Sequence, residues 1–289
     1  MAGCGEDFPR SPMKRHQALR WAAGVMGSRL EAEVLLAYIL AVDRAQLLAS
    51  LPDELPVAAW QRFRSLVARR TAGWPLQYLT GRQEFMSLEF VVSPAVLIPR
   101  PDTEVLVEEA LRLLPEEGNP LVVDVGSGSG AIGLSLAWYC PGCLVVATDS
   151  SRVALRVARL NAYRLSLSDR IKFFHTDLLE APRRQNLRPQ LVVSNPPYIP
   201  SGQIEKLPRE VQFEPRPALD GGPDGLAVYR ELLPQAAEIL RPGGYLAVEV
   251  GWNQAAAVTD LVRAEKVFGT SWIKKDLAGR DRVVVARKE

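Results

Sequence analysis

The sequence predicts an α/β protein: a seven-stranded, mostly parallel sheet flanked by helices and preceded by a small helical domain. Three observations predict it. Seven short apolar or β-branched runs recur between residues 121 and 286, alternating for most of that length with segments of helical spacing. A glycine-rich turn, residues 126–130, follows the first of these runs directly. Upstream, the apolar residues of about 14–79 repeat at helical spacing.

Taken in order, residues 1–12 are polar and rich in Pro and Gly, and are expected to fray. Leu30, Val34, Leu35 and Tyr38 share one helix face, as do Trp60, Phe63, Leu66 and Val67, and Pro52, Pro56 and Pro75 punctuate these segments. Phe85, Leu88, Phe90 and Val92 flank Met86-Ser87, which reads as a short β-hairpin or an extended linker. Pro99 and Pro101 then hold the chain extended. Asp102 or Thr103 is expected to cap a helix reaching about Leu114.

The strands are expected at 121–125, 144–148, 171–175, 191–194, 245–250, 271–274 and 282–286, and the helices at 131–138, 153–164, 226–240 and 254–264. The domain boundaries that follow are 1–80 for the helical domain, 81–96 for the hairpin linker and 97–289 for the α/β domain.

The bulk numbers exclude several classes. A content of 47% hydrophobic and 24% charged residues is ordinary for a globular chain. A net charge of +2, with 11 Lys/Arg against 9 Asp/Glu in residues 1–90, gives no basic arm for nucleic acid. No run approaches the ~20 apolar residues of a bilayer span. Residues 1–20 lack the apolar core of a signal peptide, so the cytoplasm is the expected compartment. Cys4, Cys140 and Cys143 are too few for a disulfide framework. Cys140-Pro141-Gly142-Cys143 is a C-x-x-C, but a zinc site wants about four ligands. Two loop cysteines and no metal are therefore expected.

Val122-Val123-Asp124-Val125-Gly126-Ser127-Gly128-Ser129-Gly130 carries the first chemistry. Glycines at a strand end allow a tight turn and let a ligand approach the backbone, and the crevice beyond that end is where open α/β sheets bind ligands. Gly128-Ser129-Gly130-Ala131-Ile132-Gly133 also satisfies the dinucleotide pattern G-x-G-x-x-G. Two details favour S-adenosyl-L-methionine. Asp124 stands two residues before the first glycine, where it can reach the methionine ammonium or order the loop. The Gly126/Gly128/Gly130 set sits directly at the strand end. Asp149, with Ser150 beside it, ends the second strand, where a carboxylate accepts ribose hydroxyls of either cofactor. Asp177, followed by Leu178, ends the third, as an adenine contact or a solvated loop acid.

Ser194-Asn195-Pro196-Pro197-Tyr198 ends the fourth strand, next to the glycine loop if the sheet winds outward from strand one. Two prolines fix two φ angles and remove two donors. Asn195 offers an acceptor and two donors, and Tyr198 a flat face. The set suits a planar NH2 group: the Asn195 Oδ1 and the Pro196 carbonyl can each accept one N–H. Held out of its plane, a delocalised nitrogen can aim its lone pair at an electrophilic methyl. The motif alone fits a side-chain amide or a flipped base.

With Asp124–Gly130, this motif resembles the amino-methyltransferases. Tyr78-Leu79-Thr80-Gly81-Arg82-Gln83-Glu84-Phe85, Leu97-Ile98-Pro99-Arg100-Pro101-Asp102-Thr103-Glu104, Phe213-Glu214-Pro215-Arg216-Pro217-Ala218-Leu219 and Asp276-Leu277-Ala278-Gly279-Arg280-Asp281-Arg282 resemble the HemK/PrmC members, from about residue 14 to 287. The resemblance implies a Rossmann-like class I methyltransferase domain that methylates the glutamine amide in the Gly-Gly-Gln motif of peptide chain release factors. It implies that Gly126, Ser127, Gly128, Ser129, Gly130, Asp124, Asp149, Ser150, Asp177, Leu178 and Asn195 meet the cofactor, and that Asn195, Pro196, Pro197 and Tyr198 hold the substrate. Arg100 and Glu104 are further candidates as cofactor or loop contacts, although Arg100 also reads as a partner for Asp102 or Glu104. Many members carry an aromatic residue where this chain has Leu178, which supplies apolar contact without stacking. Glu249 either lines the cleft or is a solvated strand end.

The expected partner is a release factor acting as protein substrate on a monomeric enzyme, with no stable nucleic acid and no membrane. The alternatives are an amino methyltransferase of nucleic acid and a dinucleotide-binding reductase or binding module.

Overall fold

The computed structural model describes residues 13–115 and 117–289. The frayed segment expected at 1–12, with Cys4, lies outside them. The chain divides into two compact units, one ending at Gly81 and the other running Arg82–Glu289.

The first unit is helical: α1 Arg15–Met26, α2 Arg29–Leu40, α3 Arg44–Ala49, α4 Val57–Thr71 and α5 Leu76–Thr80. Its core gathers Leu35, Leu36, Leu47, Trp60, Phe63 and Val67; of the positions marked by helical spacing, Leu35, Trp60, Phe63 and Val67 are buried, whereas Leu30 and Tyr38 are exposed. Ser28 caps α2 and Asp43 forms a capping box on α3. The buried Glu33 carboxylate lies 2.9 Å from Arg29 and 2.7 Å from Arg44. Their guanidinium groups hold it below the usual carboxylate range.

The second unit opens with a hairpin, β1 Arg82–Phe85 and β2 Leu88–Val91. Its turn residues Met86 and Ser87 have φ of 50° and 57°, the left-handed pair that matches hairpin twist. Helix α6, Pro101–Leu113, begins two to three residues earlier than a cap at Asp102 or Thr103 would place it. Pro101 takes the first helical position, where its missing N–H costs nothing, and Arg100 occupies the cap. Asp102 and Thr103 are thus inside the first turn and free for tertiary contacts.

Thereafter come β3 Leu121–Val125, α7 Ala131–Tyr139, β4 Leu144–Asp149, α8 Arg152–Arg164, β5 Ile171–His175, α9 Glu180–Arg184, β6 Leu191–Ser194, α10 Ala227–Ile239, β7 Tyr245–Glu249, α11 Ala255–Ala264, β8 Phe268–Lys275 and β9 Asp281–Lys288. The sheet order is β5-β4-β3-β6-β7-β9-β8. The first five run parallel, and β9 is antiparallel to both neighbours. Alternate strand residues enter opposite cores. Val122, Val145 and Val193 meet α6 and α7, while Val123, Val146 and Val192 meet α10 and α11. Strand β3 is central, and the register pairs Val125 with Thr148 on one side and Ser194 on the other. Three strand ends therefore converge where the chain order reverses, which is the binding crevice of such sheets. Among the described residues no helix is long and apolar enough to cross a membrane.

Candidate active site

A cleft of about 280 Å³ opens at these strand ends. Its floor is the turn after β3. Gly126 and Gly128 adopt φ of 68° and 56°, conformations that disfavour any residue with a Cβ. A Cβ built on either meets nothing within 4 Å, so the backbone faces open space. Gly130, φ 81°, serves packing: a Cβ there would come 2.9 Å from Leu134 Cδ1 and 3.2 Å from Ala158 Cβ. Ser127 and Ser129 are buried within the loop. The Ser127 N–H donates to the Thr148 carbonyl, 3.0 Å, and the Ser129 carbonyl accepts from Asn161 Nδ2, 2.9 Å.

Asp124 is fully buried below the turn and does not line the cleft. Its Oδ2 accepts from the Gly133 N–H, 2.9 Å, tying the strand to the first turn of α7. Its Oδ1 is buried without a partner. Burial pushes its carboxyl up to about 7, the Gly133 N–H opposing.

Asp149 does line the cleft. One oxygen accepts from the Gly128 N–H, 2.8 Å, and the other from the Ser151 N–H, 2.7 Å, so a single carboxylate fixes two loops. Ser150, Asp177 and Leu178 stand beside it. Leu178 has φ of 36°, a left-handed conformation that costs a branched residue energy and is held by its surroundings. The Leu179 N–H donates to Gln235 Oε1, 3.1 Å, which anchors the adjoining chain.

Asn195 and Pro197 also line the cleft, whereas Pro196 and Tyr198 are not among its lining residues. The motif is clamped from several directions. The Ser194 hydroxyl donates to the Val125 carbonyl, 2.8 Å, and Gln254 Nε2 donates to the Tyr198 carbonyl, 2.9 Å. Residues 220–225 press on its backbone. A Cβ on Gly221 would come 2.8 Å from both the Pro197 oxygen and the Tyr198 Cα, and one on Gly225, φ 78°, would overlap the Tyr198 carbonyl outright. The Tyr198 hydroxyl donates to Glu249 Oε1, 3.4 Å. Glu249 is 1% exposed, so it is a buried partner of the motif and not a solvated strand end.

Arg100 does not line the cleft and pairs with neither Asp102 nor Glu104. Its guanidinium donates to the buried Glu214 carboxylate, whose other oxygen accepts from the Ile98 N–H, 3.0 Å. Asp102 pairs with Arg282 at 3.0 Å, and Glu104 Oε1 accepts from the Met86 N–H, 2.7 Å. The Arg100–Glu214 pair staples segment 95–100 to segment 213–218. From those segments Val96, Leu97, Pro215, Pro217 and Ala218 supply apolar wall, joined by Ala154 and Val228. The sequence marked both segments by resemblance, but their pairing across 114 residues has no local signal. Cys143 is buried at the start of β4, where burial pushes its thiol up to about 12, and both Cys140 and Cys143 are free.

The residues present fit S-adenosyl-L-methionine. Open glycine backbone suits the methionine moiety, the Asp149 carboxylate suits ribose hydroxyls, and the Leu178–Val228–Pro217 surface beside Asp177 suits a purine. Asp149→Ala is accordingly expected to raise the cofactor Kd roughly 10- to 100-fold, the worth of hydrogen bonds to a charged acceptor. Titration calorimetry checks this, and an unchanged Kd would remove Asp149 from the site.

Comparison with known proteins gives the family. Residues 17–81 match the PrmC N-terminal domain and residues 102–208 the methyltransferase small domain. The release factor glutamine methyltransferase of Moorella thermoacetica is 53% identical, over 92% of this chain and 93% of that protein. That of Geobacter sulfurreducens is 45% identical, over 91% of each. In fold, the chain resembles a Thermus thermophilus 16S rRNA N2 G1207 methyltransferase solved with AdoMet and guanosine, at a TM-score of 0.53 and 22% identity over 72% of this chain and 50% of that one. A PrmC-type helical unit, a methyltransferase sheet with its glycine turn, and near full-length identity of this order lead to one assignment: the chain belongs to the release factor glutamine methyltransferase family.

Proposed function

We propose that this chain methylates N5 of the glutamine side chain in the Gly-Gly-Gln motif of peptide chain release factors, and that Asn195-Pro196-Pro197-Tyr198 holds that amide. The observation that carries the assignment is the placement of Asn195. It follows β6, hydrogen-bonded in register to β3, so it sits beside the glycine turn on the wall of the same cleft. When bound, S-adenosyl-L-methionine supplies an electrophilic methyl group on a sulfonium.

Everything else falls to this chain. Asn195 Oδ1 and the Pro196 carbonyl accept the two amide N–H groups. No donor among the described residues competes for that carbonyl. The prolines keep both acceptors rigid, so little reorganisation is needed as positive charge develops on nitrogen. The Tyr198 ring packs behind the motif and supports its backbone. Glu214 and Arg100 keep the apolar wall in place, which excludes water from the reacting atoms. No strong base is needed before transfer, because the nitrogen becomes acidic as the new bond forms. Asp124, fully buried and accepting from the Gly133 N–H, orders the glycine turn from below and does not line the cleft.

The helical unit, residues 1–80, serves to dock the body of the protein substrate. The enzyme acts as a monomer in the cytoplasm, without stable nucleic-acid or membrane partners. The test is a methyl-label transfer assay with a release factor, its Gln→Ala variant, tRNA, rRNA and DNA. Label on the release factor alone is expected. Label on nucleic acid, or on the Ala variant, refutes the reading.

A further inference from the structure

We propose that Trp252 and Leu277 form a rim on which the protein substrate rests while its glutamine enters the cleft. This rests on a release factor being that substrate. The target loop itself gives the enzyme little to hold. In Gly-Gly-Gln two of the three residues have no side chain, so the contacts that single out this glutamine lie on the substrate surface around the loop.

The sheet leaves one place to meet that surface. Gly126 and Gly128 follow β3, Asp149 ends β4 and Asp177 follows β5, so the cofactor half of the cleft uses the ends of those three strands. Asn195 and Pro197 follow β6 and close the row. Beyond β6 come β7 and then β9, and no lining residue of the cleft belongs to the loop after β7 or to the turn between β8 and β9. The register sets these loops side by side. Ser194 of β6 pairs with Val248 of β7, Glu249 of β7 pairs with Val283 of β9, and the Val250 N–H donates to the Arg282 carbonyl, 2.8 Å. Trp252, two residues past Val250, and the turn 276–280 therefore stand at the same end of the sheet as Asn195 to Tyr198, on the side away from the cofactor strands.

Both loops hold an apolar side chain out in water. Leu277 is fully exposed and Trp252 is 66% exposed. Single exposed apolar residues are ordinary on a surface, but these two sit on rigid supports. Asp276 Oδ1 accepts from the Ala278 and Arg280 N–H groups, 3.0 and 2.9 Å. The Asp276 carbonyl accepts from the Gly279 N–H, 3.0 Å, and its N–H donates to the Arg280 carbonyl, 2.8 Å. Arg282 joins the Asp276 carboxylate to Asp102 at the start of α6, 3.0 Å from each. Beneath Trp252, Gln254 Oε1 accepts from the Gly251 N–H, 3.1 Å, and Gln254 Nε2 donates to the Tyr198 carbonyl, 2.9 Å. The Trp252 loop is thus tied to the Asn195–Tyr198 motif, and the Leu277 turn to the helix whose Thr103 accepts from Asn195. Anchors held this way lose little conformational freedom on contact, which is what makes an aromatic or aliphatic side chain an effective docking point. A protein whose glutamine reaches Asn195 brings its own surface against this rim, because neighbouring strands carry both. The occupant is the folded surface of the release factor beside its glutamine loop, with an apolar patch that covers the two side chains.

The experiment measures methyl transfer at varied release-factor concentration, with cofactor Kd by calorimetry and melting temperature alongside. Leu277→Ser and Trp252→Ala are each expected to raise the KM for the release factor roughly tenfold, the loss for truncating one docking anchor, with kcat and cofactor Kd within about twofold. Leu277→Met and Trp252→Phe keep the apolar surface and are expected to recover most of the loss. Tyr163→Ser removes another exposed aromatic residue, on α8, and is expected to leave the KM unchanged. A wild-type KM in Leu277→Ser and Trp252→Ala, no recovery in Leu277→Met and Trp252→Phe, or the same rise in Tyr163→Ser overturns the proposal. So does a wild-type dimer in sedimentation that Leu277→Ser converts to a monomer, since the rim would then be a contact between copies of this chain. A wild-type enzyme that labels no release factor would instead overturn the substrate assignment beneath it.

Discussion

Replacing Asn195 by alanine is expected to lower turnover on a release factor by roughly 10²- to 10³-fold, the usual worth of one preorganised polar contact to developing charge. The cofactor Kd should shift only a few-fold, because Gly126, Gly128, Asp149 and Asp177 line the remainder of the cleft. The reason for the split is geometric. In the proposed role, Asn195 offers its oxygen where the amide nitrogen gains charge, an interaction that strengthens in the transition state, whereas ribose and adenine contacts of a bound cofactor would be made equally before and during reaction. Asn195→Ala leaves Thr103 without its donor but removes no part of the strand ladder. The check is kcat from single-turnover label transfer against Kd by calorimetry. Equal losses in both would mean that Asn195 serves cofactor binding alone.

The second large effect concerns a residue far from any motif. Asn161, on α8, is fully buried and spends its side chain on three backbone partners. Its Oδ1 accepts from the Val91 N–H at 2.7 Å, and its Nδ2 donates to the Val91 carbonyl at 3.0 Å and the Ser129 carbonyl at 2.9 Å. One amide thus ties the β1–β2 hairpin to the cofactor turn. Asn161→Ala would leave those groups unpaired in a buried place, at about 1–3 kcal/mol each, so a loss of roughly 3–5 kcal/mol in unfolding free energy is expected after partial relaxation. Urea denaturation measures it. A change below about 1 kcal/mol would mean that these backbone groups find other partners.

Asn161 also shows where sequence reading stops. The strands were legible because strands covered on both faces read as apolar runs, and β3, β5 and β6 match the expected spans 121–125, 171–175 and 191–194. The adjacency of Asn195 to the glycine turn was conditional on the sheet winding outward from its first strand, and the order β4-β3-β6 satisfies that condition. Of the residues lining the cleft, Asp149, Asp177 and Asn195 were marked by position, since each follows or ends a strand, and Leu178 by resemblance.

The connecting pairs were not readable. Arg100 with Glu214, Thr103 with Asn195 and Asn161 with Val91 join residues 70 to 114 positions apart, and no periodicity reports such a partner. The start of α6 was misplaced for a related reason. Thr103 looked like a cap because a hydroxyl near a helix start usually is one, yet its hydroxyl oxygen accepts from Asn195 Nδ2. Glu249 was undecided because a strand-end acid is solvated or buried according to what covers it, here Tyr198 and Tyr229.

The cleft wall is assembled from segments spread between Ala95 and Val228. Such a pocket has no local precursor: its walls meet only after the crossovers of a high-contact-order sheet have closed, and loop closure must precede any ligand contact. The unfolded chain therefore offers the cofactor essentially nothing, and binding is linked wholly to the native state. By mass action, cofactor at 100 times its Kd adds about 2.7 kcal/mol to the stability of the unit that holds it. In a cell, the methyl donor thus doubles as a folding ligand, and its supply sets how much of the enzyme's native population survives proteolysis.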